Sequence, residues 1–149
     1  MKVHLYFLFI ISSLFFVPVL NAGFTENNED IVNLEGSSLC WGDYDNDGDM
    51  DFVIMGRDAS GEERTLLYEN RGSGNFVLKQ NIGEGLYNGS MAWADYDKDG
   101  DLDLAISGYS TENSLGLTKL YENDNGFFED SGLEFQNVYK SDIAWGDYN

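Results

Sequence analysis

The chain has 149 residues, with 27 Asp and Glu against 8 Lys and Arg and a formal net charge of −19. That balance argues against nucleic acid, whose binding neutralises phosphates with Lys and Arg, and against docking on an anionic lipid surface. A hydrophobic content of 42%, with 15% aromatic residues, is too high for a solvated polyanion, so a folded protein is expected.

In chain order, residues 1–22 come first. Lys2 and His4 precede an apolar run from Leu5 to Leu20, and Asn21-Ala22-Gly23 supplies small residues before polar chain resumes. This is the layout of a cleaved secretory signal peptide, and Ser12, Ser13 and Pro18 interrupt a run already short for a membrane anchor. The expected location is therefore secreted or at the cell surface, with no membrane span in the mature chain. Removing residues 1–22 removes the only His and the only Pro and leaves 7 basic against 27 acidic side chains, a net of −20. Without His, neither a Ser-His-Asp or Cys-His apparatus nor an imidazole zinc site can be assembled from this segment. The single Cys40 has no partner for an internal disulfide.

Residues 23–149 are organised by an internal repeat. Trp41, Trp93 and Trp145 lie 52 residues apart, each followed by Gly or Ala, then Asp and Tyr. Thr65-Leu-Leu-Tyr-Glu-Asn70 returns as Thr118-Lys-Leu-Tyr-Glu-Asn123, and Gly74-Asn-Phe returns as Gly126-Phe-Phe. Within the first repeat, Ser38–Gly42, Phe52–Met55, Arg64–Glu69 and Asn75–Gln80 read as four short strands. Arg57–Glu63 forms a hairpin tip, and Arg71–Gly74 forms a second turn. No stretch supports a helix. Four strands at this period predict an all-β chain built as four-stranded antiparallel propeller blades. The expected divisions are an outer strand of a closing blade plus linker at 23–36, repeat 1 at 37–88, repeat 2 at 89–140, and the start of repeat 3 at 141–149. Phe24 stands 52 residues before Phe76, which places Gly23–Glu26 on a fourth strand.

Each repeat carries an acidic loop. Asp43, Asp45, Asp47, Asp49 and Asp51 occupy odd positions of a nine-residue run, with Gly48 sixth; Asp95, Asp97, Asp99, Asp101 and Asp103 repeat the pattern around Gly100. A third begins at Asp147, with Asn149 at its third position. Two carboxylates about 5 Å apart repel by about 3 kcal/mol at an effective dielectric near 20, so five in nine residues call for a cation. Hard, flexible oxygen ligands favour Ca²⁺, one per complete loop, with Gly giving the sharp turn. Side-chain ligation is expected from Asp43, Asp45, Asp47 and Asp51 and from Asp95, Asp97, Asp99 and Asp103; Asp49 and Asp101 are expected to offer backbone carbonyls. An EF-hand is excluded because its twelfth position needs Glu and here holds Ile54 or Ile106.

The run Trp-Gly/Ala-Asp-Tyr-Asp-x-Asp-Gly-Asp-x-Asp, followed by an apolar strand, Leu-Tyr-Glu-Asn and a Gly-x-Phe segment, resembles the FG-GAP/VCBS repeats of integrin-α-like β-propellers. The resemblance implies a propeller, often seven-bladed, with Ca²⁺ between the first two strands of a blade. It also implies an exported protein of adhesion or recognition, whose partner is an unknown protein or glycan. Two full repeats are too few to close a ring, so further blades are expected from sequence beyond residue 149. A non-enzymatic segment is expected; the alternative is the scaffold or accessory propeller of a secreted enzyme whose catalytic part lies beyond residue 149. Among the remaining residues, the Trp and Tyr beside each loop are expected to pack blades, and Cys40 to be a small buried side chain. Glu62, Glu63, Glu69 and Glu122 are weak candidates for carboxylate catalysis, and Asn88-Gly-Ser90 fits a glycosylation sequon.

Overall fold

The computed structural model describes residues 31–147; the apolar leader, Gly23–Glu26, Tyr148 and Asn149 lie outside the described residues. Eight strands run in order: β1 Glu35–Gly42, β2 Asp51–Arg57, β3 Glu63–Asn70, β4 Phe76–Asn81, β5 Tyr87–Ala94, β6 Asp103–Ser110, β7 Leu115–Asp124 and β8 Phe127–Asp130. No helix occurs among the described residues. The strands form two antiparallel sheets, β1-β2-β3-β4 and β5-β6-β7-β8, each a simple meander. All four strands expected in the first repeat are present; the first three are longer by one to three residues at an end, as where Arg57 still pairs with Glu63, and the fourth is shifted by one residue to Phe76–Asn81.

The repeat extends to irregularities. β1 shifts register between Glu35 and Ser38, with Gly36 at φ 55°, and β5 shifts between Tyr87 and Ser90, with Asn88 at φ 53°. These bulges touch: a Cβ on Gly36 would lie 2.7 Å from the Asn88 side-chain oxygen.

The two sheets stack with β1 against β5. Successive side chains of a strand point to opposite faces, so each sheet has two apolar faces. Val53, Met55 and Leu67, with Cys40 beside them, cover one face of the first sheet. They meet Met91, Leu104, Ile106, Tyr121 and Phe128 of the second, with Trp93 at the margin. Gly42 is required here, because a Cβ would lie 2.8 Å from the Trp93 indole. The opposite face of the first sheet carries Phe52, Leu66 and Tyr68, with Val32, Ile54 and Phe76 packed on them. Phe52 stacks on Tyr68 at 4.9 Å, and Trp41 meets Phe52 edge-on at 5.1 Å.

A polar clasp joins the sheets at the end remote from the acidic loops. Arg57 donates to Glu63 at 3.0 Å and to the Thr111 hydroxyl at 2.6 Å, and its guanidinium lies 3.8 Å above the Tyr87 ring. Glu63 also accepts from the Thr111 backbone N–H at 2.9 Å and from its hydroxyl. Beyond β8, residues 131–147 form no strand but lie along the second sheet. The Lys140 N–H bonds the Asn88 carbonyl at 2.7 Å, and the Trp145 indole N–H bonds the Ala92 carbonyl at 3.2 Å.

Candidate metal centre

The acidic runs form the connections β1–β2 and β5–β6, at one end of the stacked sheets. Each begins where a strand ends on Gly42 or Ala94 and finishes on the first residue of the next, Asp51 or Asp103. Asx-type bonds curl the first loop: Asp45 accepts from the Asp47 N–H at 3.4 Å, Asp47 from the Asp49 N–H at 2.8 Å, and Asp43 from the Gly48 N–H at 3.1 Å. The second repeats the first two at 3.2 and 2.9 Å. Gly48 at φ 93° and Gly100 at φ 102° supply the expected turn, with no atom near enough to demand glycine for space. The fourth position is also left-handed, with Asn46 at φ 59° and Lys98 at φ 67°.

In the first loop, oxygens of Asp43, Asp45 and Asp51 lie within 4.8 Å of one another; in the second, those of Asp95, Asp97 and Asp99 do. Asp47 and Asp103, also expected as side-chain ligands, are not in these trios, and the Asp49 and Asp101 side chains lie at the exposed rim or partly so. Asp147 lines a cleft with Asp95, Tyr96 and Lys98. Asn149 lies outside the described residues.

Asp51 and Asp103 anchor the loops. Both are fully buried, and each carboxylate closes the loop from behind: Asp51 accepts from the Tyr44 N–H at 3.3 Å and the Asn70 N–H at 2.7 Å. Asp103 accepts from Tyr96 at 2.9 Å and Asn123 at 3.0 Å. Burial pushes the Asp51 carboxyl up to about 6 against the pull of its two N–H donors, and raises Asp103 for the same reason. Asp45 is raised as well, by burial and then by the neighbouring Asp47 charge. These groups carry an electrostatic burden in the ionised form that a cation would remove. The Asp43 Oδ1 adds a second sign, since it is buried and has no hydrogen-bond partner. The donor set, hard oxygens on a pliable loop, therefore fits Ca²⁺.

Sequence reasoning missed the asparagines that close β3 and β7. Asn70 donates its side chain to the Met50 carbonyl at 3.1 Å and accepts from the Gly72 N–H. Asn123 donates to the Leu102 carbonyl at 3.2 Å and, across the sheets, to the Tyr44 carbonyl at 2.8 Å. The returning Tyr-Glu-Asn landmark was the available signal. The carboxylates weighed for catalysis are otherwise engaged: Glu62 pairs with Arg64, Glu63 with Arg57, and Glu69 with Arg71 and Lys79, while Glu122 accepts from the Tyr96 hydroxyl at 2.6 Å. Cys40 is half-buried, and desolvation pushes its thiol up to about 12, so it stays protonated.

Stacked four-stranded meanders, each with an Asp-rich loop between its first two strands, define an all-β repeat protein. The FG-GAP-like repeat family model matches residues 43–106, so this segment is similar to FG-GAP-like repeats. The match opens on the first acidic loop and runs through the second into β6. Comparison with curated proteins returned no match.

Proposed function

We propose that the two sheets are consecutive blades of a calcium-stabilised β-propeller in an exported protein of recognition or adhesion, with Ca²⁺ structural and not catalytic. The observation that carries the calcium reading is the first loop's centre. Three carboxylates converge there, and the buried Asp43 Oδ1 has no donor. Asp43, Asp45 and Asp51 would hold one ion, and Asp95, Asp97 and Asp99 a second. The ions would cancel repulsion and fix the β1–β2 and β5–β6 connections. The apolar leader at 5–20 supports export, and the FG-GAP-like repeat supports a propeller-type module.

Calorimetric titration tests this reading. Calcium added to the purified chain is expected to bind at two sites, with dissociation constants of about 10⁻⁴–10⁻³ M, as in extracellular modules. The double substitution Asp43→Asn, Asp45→Asn is expected to abolish one of the two. Absence of heat at millimolar calcium would defeat the proposal.

A further inference from the structure

The two acidic loops are in contact. The Asn46 side-chain amide, at the fourth position of the first loop, donates to the Gly100 carbonyl at 3.3 Å and to Asp101 Oδ1 at 3.0 Å in the second. Asn123 crosses in the opposite direction. Its side chain binds the Tyr44 carbonyl of the first loop, while its backbone N–H holds Asp103 of the second. Asn46 lies between Asp45 and Asp47, and Tyr44 between Asp43 and Asp45, so both bridges attach beside carboxylates that face the first loop's centre.

Resting on the calcium reading above, we infer that the loops do not fill independently: Asn46 makes occupancy of the first loop raise the calcium affinity of the second. Calcium on Asp43, Asp45 and Asp51 fixes the backbone on both sides of Asn46. That holds its amide against Gly100 and Asp101, at the turn the second loop must form to close. Part of the ordering cost of the second loop is then met before its ion arrives, which is a coupling between sites and so is reciprocal. Charge works the other way. An ion in one loop lowers the negative potential that attracts an ion to the other. Asn46 is neutral and is not among the carboxylates, so replacing it removes the bridge and leaves the charge effect in place. In the next repeat, Lys98 occupies the same position and lines the same cleft as Asp147, which extends the geometry toward the third acidic run.

The test is a double-mutant cycle on the full chain, read by calcium calorimetry. Four proteins are compared: wild type, Asn46→Ala, the first-loop knockout Asp43→Asn with Asp45→Asn, and the triple variant. With the first loop functional, Asn46→Ala is expected to weaken the second loop about fivefold, the lower end of ordinary coupling between sites. In the knockout background the same substitution is expected to change nothing. Asn46→Asp, which sets a carboxylate against Asp101, is expected to weaken it further. Equal effects of Asn46→Ala in both backgrounds would reduce Asn46 to a structural contact, and no effect in either would remove the bridge; each overturns the coupling and leaves the calcium reading standing. A wild type that binds no calcium would overturn both.

Discussion

At the residue scale, position within the nine-residue loop decides what each carboxylate does. Asp51 and Asp103 are buried and hold two backbone N–H groups each, whereas Asp49 is exposed. Truncating Asp51 leaves the amides of Tyr44 and Asn70 without a charged acceptor, a loss of about 3 kcal/mol for hydrogen bonds of this kind. Asp51→Ala is therefore expected to lower stability by about that amount in urea unfolding with calcium present, and Asp49→Ala by less than about 0.5 kcal/mol. Equal losses would show that spacing, not burial, sets the roles. The loops themselves were legible in the sequence because carboxylate spacing and the Gly turn are local properties. Their closure by Asn70 and Asn123 was not. It depends on the antiparallel register that brings the end of the third strand of each sheet beside the start of the second, about 20 residues away.

At the element scale, strands and hairpins followed from apolar runs and turn residues, and their ends moved by one to three residues where polar and charged ends still pair, as Glu35 does with Arg57 and Asp51 with Gly42. The contacts between sheets could not be read that way. Arg57 and Glu63 pair within one hairpin, but Thr111 and Tyr87 reach them only through stacking of the sheets, and no local pattern links them to that pair. Burial tends to raise the Glu63 carboxyl, but the Thr111 hydroxyl and N–H and the Arg57 guanidinium outweigh it and hold the group below its ordinary value. Because the folded value is the lower one, the clasp's stabilisation is complete above about pH 4.3, the ordinary Glu value, and is lost as pH falls through the folded value. Glu63→Gln is expected to lower stability at pH 7 and to flatten the acid limb of the stability profile below pH ~4. A variant whose acid limb matches the wild type would remove Glu63 from the inter-sheet clasp.

At the scale of the whole molecule, the repeat makes each sheet a prediction for the other. Trp93, Leu104, Ile106, Tyr121 and Phe128 of the second sheet are buried or half-buried against the first. Their counterparts in the first sheet, Trp41, Phe52, Ile54, Tyr68 and Phe76, form the same apolar face pointing the other way. Trp41 there is 52% exposed and Leu39 44%, although Leu39 is the counterpart of Met91, which is 7% exposed. The expectation that all the Trp residues pack between blades is thus met at Trp93, while Trp41 and Trp145 remain substantially exposed among the described residues. Trp93→Ala is expected to cost about 3 kcal/mol and Trp41→Ala about 1 kcal/mol or less, since truncation costs follow burial. In single-Trp variants, acrylamide should quench Trp41 readily and Trp93 poorly. Comparable costs and quenching would contradict the stacking order.

Charge completes the picture at this scale. Ten of the 27 acidic residues sit in two nine-residue loops, and one Ca²⁺ in each would move the formal net charge of the chain from −19 to −15. The melting temperature with and without calcium tests this most directly. At about 10 mM calcium and a dissociation constant near 10⁻⁴ M, each filled loop adds about 2.7 kcal/mol, and the melting temperature is expected to rise by about 10 °C or more over the chelated protein. The rise should shrink when Asp43 and Asp45 are both replaced by Asn. Superimposable melts in calcium and in excess chelator would contradict the account.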